Sequence, residues 1–263
     1  MKPLRIAIHG AAGRMGRRLA ALAAADPELS VAAAVDQSTH PQIGEDAGQI
    51  AGIRSLGVPL AGSLDAAVDA VVDFSIPAAA EQMVEVCRQK RIPLVVATTG
   101  FKEGQVVKIC AAAEEIPLLW SPNMSLAVNL TMKLAETAAK VLKDQDADVE
   151  ILERHHRFKE DAPSGTALKF GQIIASAMGQ TTQRHGREGR PGKRLHDEIG
   201  YHAIRVGDNP GEHTIVFGML GETVEISVRA SSRDCYAIGA LAAAKFLAGR
   251  EPGLYGMSDV LGL

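Results

Sequence analysis

Two adjacent histidines and a nearby lysine form the densest group of chemically active side chains in the sequence. His155 and His156 are followed by Lys159, with Arg154 and Arg157 between and beside them. Histidine gives or takes a proton near neutral pH, and lysine holds an anion or donates a proton. A strand predicted over 149–152 places this segment in a loop, which could aim both imidazoles at one site. The pattern favours acid–base chemistry on an anionic molecule, although solvated surface loops have the same composition.

The residues that follow add an anion-binding feature. Pro163 and Ser164 precede Gly165 and Thr166, where a helix is predicted over 166–178. The unpaired N–H groups of a helix N-terminus suit a carboxylate or phosphate. Ser164 or Thr166 could equally be a plain helix cap.

A metal site is the rival interpretation of the same segment. Glu153, His155 and His156 are residue types that bind zinc. No second well-spaced group of ligands supports them, so we expect no metal. A metal-dependent enzyme stays open as an alternative.

A glycine-rich turn near the beginning of the sequence indicates a second kind of chemistry. Gly10, Gly13 and Gly16 join a predicted strand over 4–8 to a predicted helix over 14–25, and Asp36 ends the next strand. Such glycines let the backbone approach a pyrophosphate, and an acidic residue at Asp36 can accept hydrogen bonds from ribose hydroxyls. The spacing is G-x-x-G-x-x-G, and a turn required only for packing is the alternative.

The residues beside Asp36 favour NADH over NADPH. Asp36 would repel a 2′-phosphate, and Gln37 has no charge to offset it. Arg14 or Arg17 could still reach a 2′-phosphate, which leaves NADPH possible.

Alternating strands and helices must position these groups. Up to about residue 125 the alternation predicts a doubly wound parallel sheet, with Thr98 and Ser121 following strands at its carboxyl edge, where ligands bind. Beyond that, three alternating runs predict an antiparallel sheet with one buried face. The fold class is therefore α/β, an N-terminal Rossmann-like doubly wound parallel sheet with a C-terminal α+β substrate and oligomerisation domain. The first domain is expected to comprise residues 1–125 and 235–263 and to bind the dinucleotide. The second is expected to comprise residues 126–234 and to serve substrate binding and oligomerisation. The remaining predicted strands cover 31–35, 70–74, 94–97, 118–120, 200–206, 213–218 and 223–229, and the remaining helices cover 77–90, 102–115, 126–142 and 236–247. A loop is predicted over 37–57, and a Gly- and Arg-rich loop is predicted over 179–194.

Composition excludes several classes of protein. A net charge of −3 argues against a nucleic-acid binder, and no apolar run is long enough to span a membrane. Three widely spaced cysteines favour a reducing cytoplasm. Residues 154–194 nevertheless carry nine Lys and Arg against three Asp and Glu, a local charge of +6 that could attract a small dianion.

Taken together, these motifs resemble the dihydrodipicolinate reductase family, also described as 4-hydroxy-tetrahydrodipicolinate reductase, over nearly the whole chain. The most specific segment is Glu153-Arg154-His155-His156-Arg157-Phe158-Lys159-Glu160-Asp161-Ala162-Pro163-Ser164-Gly165-Thr166-Ala167. The other matching segments are 10–16, 72–75, 98–101, 123–125 with Asn129, 187–189, 205–208, 211–214 and 230–233.

The resemblance implies reduction of a small cyclic dicarboxylate with NADH or NADPH in lysine and diaminopimelate biosynthesis. His155 and Lys159 would supply protons, and His156, Gly165 and Thr166 would bind the substrate. The nucleotide-binding positions would be Gly10, Ala11, Ala12, Gly13, Arg14, Met15, Asp36, Ala97, Thr98, Thr99, Ser121, Pro122, Asn123 and Met124. Members are typically homotetramers.

The sequence departs from the family pattern outside the His-His-x-x-Lys segment. Members often have Arg at the position of Gln37, which puts strong use of NADPH in doubt. Ala97 and Met124 stand where Gly and Phe are common, and Ile76 stands where some members carry Arg. A non-catalytic dinucleotide sensor is the remaining alternative.

Overall fold

The chain divides into two compact units. The computed structural model describes residues 2–263. The first unit runs up to Leu126 and resumes over Asp234–Leu263, and the second unit is Ala127–Arg233.

The first unit is built on a seven-stranded sheet in which every strand pair is parallel. Numbered along the whole chain, its strands are β1 Leu4–His9, β2 Leu29–Val35, β3 Leu60–Ala61, β4 Ala70–Asp73, β5 Leu94–Val96, β6 Pro117–Trp120 and β12 Gly253–Tyr255. Their order across the sheet is β12-β6-β5-β4-β1-β2-β3. The order runs outward in both directions from β1 and β4, so the prediction of a doubly wound parallel sheet is confirmed.

Helices cover both faces of this sheet. They are α1 Arg14–Ala25, α2 Ala47–Ile50, α3 Pro77–Lys90, α4 Glu103–Ala113, α7 Asp234–Leu247 and α8 Met257–Leu261. On one face, alanines and leucines of α1 and α7 pack against side chains such as Ile6 and Ile8. On the other, α3 and α4 pack against Val71 and Leu94. Small aliphatic side chains on both faces of the strands explain how a chain with so few aromatics forms a core.

The segment predicted as a loop over 37–57 contains the short helix α2. Asp46 organises it, because its carboxylate accepts N–H groups from both ends of the segment. The donors are the backbone N–H groups of Gly48, Gln49, Leu56, Gly57 and Val58. These bonds hold the pKa of Asp46 at about 2, despite the opposing effect of desolvation. One aspartate thus orders a stretch that composition alone indicates as irregular.

The second unit is a five-stranded sheet with two helices. Its helices are α5 Leu126–Leu142, whose first residue lies in the first unit, and α6 Gly165–Met178. Its strands are β7 Asp148–His155, β8 Thr182–His185, β9 Glu198–Arg205, β10 Glu212–Met219 and β11 Glu222–Arg229, in the order β11-β10-β7-β9-β8.

The prediction of an antiparallel second sheet is confirmed for β10 and β11 but was wrong for β9, because the sheet is mixed. Strand β10 pairs antiparallel with β11 and β7, whereas β7, β9 and β8 are parallel to one another. The reason is the connection between β7 and the strands that follow it. Helix α6 returns the chain along the sheet, and a crossover of this kind makes the next strand parallel.

Two predicted boundaries in the second unit were also wrong, and both concern polar sequence. Strand β7 continues three residues past the predicted end at residue 152, to His155. The stretch predicted as a Gly- and Arg-rich loop over 179–194 contains the edge strand β8.

The arginines of that stretch are tied down by acidic side chains. Arg187 and Arg194 both hydrogen-bond to Glu150 on β7, and Arg187 also reaches Glu198 while Arg194 reaches Asp148. Burial acts to raise the pKa of Glu150, but hydrogen bonds from Arg187, His202 and Arg194 outweigh it and lower the pKa to about 2. Part of the local positive charge in residues 154–194 is therefore neutralised within the unit.

Candidate functional site

The glycine turn joins β1 to α1 in the first unit through close backbone packing. Gly10 has φ +78°, and a Cβ there would lie 2.5 Å from the carbonyl oxygen of Phe74. Gly13 is the N-cap of α1 and has no side chain to cover the first-turn N–H groups. Arg14 is exposed and Met15 is half-buried at the beginning of the helix. The turn thus combines tight packing with an open helix N-terminus, which is the arrangement that receives a pyrophosphate.

Gly16 packs so closely against backbone atoms that we expect a larger residue there to destabilise the protein. A Cβ on this residue would overlap the carbonyl oxygen of Gly10 and lie 2.5 Å from Ala11 Cα, both backbone atoms. We expect Gly16→Ala to lower the free energy of unfolding by roughly 1–3 kcal/mol and to weaken NADH binding, measured by thermal denaturation and calorimetry. Gly104→Ala is the control, because a Cβ there meets nothing within 4 Å. A Gly16→Ala protein with normal melting temperature and NADH affinity would contradict the prediction.

Asp36 links the end of β2 to the glycine turn. One carboxylate oxygen accepts the N–H of Ala12 and the other accepts the N–H of Gln37, each at 2.9 Å. Each oxygen retains acceptor capacity for a ligand hydroxyl. A cavity of about 550 Å³ opens beside it, lined by residues that include Asp36, Gln37, Ser63 and Gln82. This space suits a nucleoside.

Sequence reasoning missed a buried polar hub at the carboxyl edge of the sheet. The carboxylate of Asp73 is 2.7 Å from His9 Nδ1 and accepts the hydroxyls of Ser75 and Thr98, each at 2.6 Å. Thr98 Oγ1 in turn accepts the N–H of Ser75 at 3.0 Å. The hub therefore fixes the loops that follow β1, β4 and β5. An aspartate at the end of an otherwise apolar strand was the signal that could have found it.

The remaining predicted nucleotide-binding residues lie at the ends of β5 and β6. Thr99 is exposed and Pro122 is exposed, whereas Ala97 and Ser121 are buried. The Ser121 hydroxyl donates to the carbonyl oxygen of Asn123 at 2.8 Å. Met124 is only 2% exposed and belongs to the core cluster that α7 completes. The two loops thus present backbone and small polar groups at the sheet edge, while the Met124 side chain packs inward.

In the second unit, three neighbouring strands place four polar side chains on the face that otherwise holds the apolar core. Val149, Ile151, Glu153 and His155 alternate as the buried positions of β7. Glu153 pairs across the ladder with His213 on β10, and His155 pairs with Arg205 on β9. The core face of the sheet therefore ends in a cluster of Glu153, His155, Arg205 and His213, which we call the polar cluster.

Glu153 is the centre of the polar cluster. Its carboxylate, in a residue 2% exposed, lies 2.5 Å from His155 Nδ1 and accepts two hydrogen bonds from Arg205, at 2.8 and 2.7 Å. It also accepts the backbone N–H of Ser164 at 3.1 Å. Burial acts to raise the pKa of Glu153, but the bonds from His155 and Arg205 outweigh it and lower the pKa to about 2. The carboxylate is therefore ionised at neutral pH.

The N-terminus of α6 closes over the polar cluster. The Ser164 hydroxyl accepts the N–H of Ala167 at 3.2 Å, so the predicted alternative of a helix cap is correct for Ser164. The same hydroxyl lies 3.1 Å from His213 Nε2. Gly165 is exposed and Thr166 is half-buried in the first turn of α6. The first-turn N–H groups thus lie next to the polar cluster.

His156 and Lys159 follow directly after β7. Among the described residues 2–263, His156 Nδ1 is one of five buried side-chain polar atoms with no hydrogen-bond partner. Desolvation, reinforced by the positive charge of Arg233, lowers the pKa of His156. Lys159 Nζ lies 2.7 Å from a carboxylate oxygen of Asp161, and this bond lowers the pKa of that carboxyl. A neutral imidazole with an unused nitrogen and a paired ammonium therefore lie near the cluster.

Metal-ligand geometry is absent from the described part of the chain. Within residues 2–263, no three His, Cys, Asp or Glu side chains are grouped so as to hold a metal ion. Glu153 and His155 are instead bonded to each other. The same residues contain no helix long and apolar enough to cross a membrane.

The parallel sheet and the glycine turn of the first unit define a class of protein, those with a Rossmann-like nucleotide-binding unit. The family models for the N-terminus and C-terminus of dihydrodipicolinate reductase match residues 4–124 and 127–261. The chain belongs to the dihydrodipicolinate reductase family. The resemblance predicted from the motifs is confirmed.

Individual relatives agree with the family models. The chain is 56% identical to a 4-hydroxy-tetrahydrodipicolinate reductase of Rhodopirellula baltica, with 99% of this chain and 97% of the relative covered. It is 48% identical to the enzyme of the same name from Alkalilimnicola ehrlichii, with 98% and 99% covered. The solved structure of a dipicolinate-bound dihydrodipicolinate reductase from Paenisporosarcina sp. TG-14 superposes with a TM-score of 0.79 at 25% identity, with 97% of each chain covered.

Proposed function

We propose that the chain reduces 4-hydroxy-tetrahydrodipicolinate to tetrahydrodipicolinate with a nicotinamide dinucleotide, in lysine and diaminopimelate biosynthesis. The observation that carries this proposal is the ionised, buried Glu153 bonded to His155 beside the N-terminus of α6. A histidine held in this way can give or take a proton, and the adjacent N–H groups can receive a carboxylate. Reduction of an unsaturated dicarboxylate requires the protein to supply a proton and to bind the anionic substrate.

The first unit would hold the dinucleotide. A pyrophosphate fits the glycine turn, where a Cβ on Gly10 would meet Phe74 and where Gly13 leaves the N–H groups of α1 uncovered. Asp36 would accept the ribose hydroxyls beside the 550 Å³ cavity. The bound nicotinamide supplies a hydride. The residues proposed to contact the cofactor are Gly10, Ala11, Ala12, Gly13, Arg14, Met15, Asp36, Ala97, Thr98, Thr99, Ser121, Pro122, Asn123 and Met124.

The second unit would hold the substrate and move the proton. His156 offers an unused buried nitrogen, and Gly165 and Thr166 begin the helix whose N-terminus attracts anions. We assign His155 as the proton donor and acceptor, and Lys159 as a second proton donor that also balances substrate charge. The dipicolinate bound to the Paenisporosarcina enzyme is a dicarboxylate of the same kind.

NADH is the proposed preferred cofactor, and Gln37 offers a test of this choice. Asp36 is next to Gln37, and Arg17 is engaged with the carbonyl oxygen of Ala12 and with Gln42. We expect Gln37→Arg to raise the ratio of NADPH to NADH efficiency by roughly tenfold or more, because a charge-assisted bond to a 2′-phosphate contributes about 1.5–3 kcal/mol. Initial rates with each cofactor measure the ratio. Gln89→Arg adds the same charge on an exposed position of α3 and should leave it unchanged; an equal ratio in both variants would reject Gln37 as the discriminating residue.

One assay tests the proposed function against its two alternatives. The fall in NADH absorbance is followed with substrate generated by the preceding synthase reaction, with and without a chelator. We expect turnover that a chelator does not affect. NADH binding without turnover would identify a dinucleotide sensor, and loss of turnover with chelator would identify a metal-dependent enzyme.

We also propose a homotetramer that acts in the cytoplasm. The face of the second sheet opposite the core exposes Leu152 on β7 and Ile204 on β9, at 37% and 44%. Apolar side chains on an open sheet face favour packing against another copy. Cys87, Cys110 and Cys235 have free thiols, which suits a reducing compartment. Light scattering of the purified protein tests the tetramer, and a monomer at working concentrations would reject it.

A further inference from the structure

We propose that Glu153 is the positioning residue for His155: it holds the imidazole by Nδ1 and leaves Nε2 as the atom that gives and takes the proton. This inference rests on the proposed function, because it assigns the proton to one atom of the same histidine. Beyond that function, it gives Glu153 a role that acts through His155. It also assigns one tautomer to the neutral His155 ring.

The hydrogen bond between Glu153 and His155 Nδ1 has a defined direction. An ionised carboxylate can only accept hydrogen bonds, and Glu153 is ionised at neutral pH because its pKa is about 2. The 2.5 Å contact with His155 Nδ1 therefore requires a hydrogen on Nδ1. In the neutral ring, Nε2 is then the acceptor, and in the protonated ring the Nε2 hydrogen is the one free to leave.

Three further hydrogen bonds hold the Glu153 carboxylate in place. Arg205 donates two nearly parallel hydrogen bonds to the carboxylate, and Ser164 adds a third from the backbone. Arg205 is itself held by the carbonyl oxygens of Ile204 and Asp161, at 2.8 and 2.6 Å. A carboxylate fixed on three sides keeps the imidazole in one orientation.

A space is left open beside His155 Nε2. A Cβ built on Gly211 would lie 3.0 Å from His155 Nε2 and 3.3 Å from Cδ2. Gly211 has φ +152° and carries no side chain, so this space is left open next to the nitrogen. The fold thus blocks Nδ1 with Glu153 and keeps a small opening at Nε2.

The charges around His155 are compatible with this role. Desolvation, with a further contribution from the charge of His155, lowers the pKa of His213 to about 4. The His213 ring meets the His155 ring edge-on at 5.3 Å, and a neutral ring there does not repel an imidazolium. The charged or titratable groups around the pair are Glu153 and His156 from the β7 segment, Arg205 from β9, His213 from β10 and Lys159 from the following loop. Glu153 is the anion hydrogen-bonded to the ring.

The experiment compares the wild type with Glu153→Gln by ¹⁵N NMR of the histidine rings and by steady-state kinetics. For the wild type we expect neutral His155 as the Nδ1–H tautomer. For Glu153→Gln we expect that preference to be lost and kcat to fall about 10–100-fold.

The matched control is Glu150→Gln. Glu150 lies on the opposite face of β7, has a pKa of about 2 and contacts His202 Nε2 at 2.8 Å. This variant should keep the His155 tautomer and the kcat of the wild type.

Each outcome decides the proposal. An Nε2–H tautomer in the wild type overturns it, and this spectrum decides even if Glu153→Gln fails to fold. A Glu153→Gln protein with reduced activity but an unchanged His155 tautomer shows a merely structural role and also overturns it. Absence of turnover in the wild type would reject the proposed function, while the tautomer of His155 would still be read directly.

Discussion

Replacement of His155 by alanine is expected to lower kcat for the proposed reduction by about 10²–10⁴-fold, the range for loss of a positioned general acid. His155 is 8% exposed and bonded to an ionised carboxylate, and alanine has no group that could hold a proton in its place. The affinity for NADH should be unchanged, because the proposed nucleotide-binding residues all belong to the first unit. Stopped-flow or steady-state absorbance measures kcat, and calorimetry measures the affinity.

The control for this prediction is His202→Ala. His202 lies on β9 and pairs with Glu150, outside the polar cluster. It should retain wild-type turnover. Thermal denaturation of both variants separates loss of chemistry from loss of fold. Wild-type kcat in a folded His155→Ala protein would show that another group supplies the proton.

Lys159→Ala is expected to lower kcat/KM by roughly 10²-fold or more, through loss of a proton donor and of a charge-assisted bond to the substrate. The Lys159 side chain is 21% exposed, and its ammonium is already oriented by Asp161. We expect both a lower kcat and a higher KM, since the same charge serves binding and proton supply. Steady-state kinetics over a range of substrate concentrations measures the two parameters separately.

Two further variants give this prediction its contrast. Lys169→Ala removes the same charge from an exposed position of α6 and should have little effect. Asp161→Asn removes the partner that orients Lys159 and should cause a smaller loss than Lys159→Ala. Equal kinetics in Lys159→Ala and the wild type would remove Lys159 from the mechanism.

The first unit was largely predictable because its local signals agree with its tertiary structure. Helix α3 has the predicted bounds, with Pro77 in its first turn and Arg91 in the left-handed conformation that ends it. Short aliphatic strands alternate with helices, and the rule for parallel crossovers leaves few other topologies. The short strand β3 and the bridge from Asp46 to Pro59 have no such pattern, because they depend on a carboxylate that binds backbone groups ten residues away.

The second unit was less predictable because its pairing is non-local and its buried face is partly polar. The alternation of Val149 and Ile151 continues through Glu153 and His155, but polar residues at buried positions look like the end of a strand. For that reason β7 was predicted to end too early, and His155 was expected in a loop. The proton-transfer role proposed for His155 follows from its residue type and from the family resemblance. The partners of His155 could not be predicted, because Arg205 and His213 lie 50 and 58 residues further along the chain and are brought in by the β9 and β10 ladders.

The return of the chain to the first unit has a consequence for synthesis on the ribosome. Ala237, Ala240 and Leu247 of α7 complete the core on one face of the seven-stranded sheet, and β12 extends its edge beside β6. These elements are made after the whole of the second unit. One apolar face of the nascent first unit therefore remains partly uncovered until α7 is synthesised. The second unit emerges during that time and can form its own core. We expect arrest of translation before residue 234 to yield a chain that chaperones recognise by this face, rather than a stable dinucleotide-binding domain.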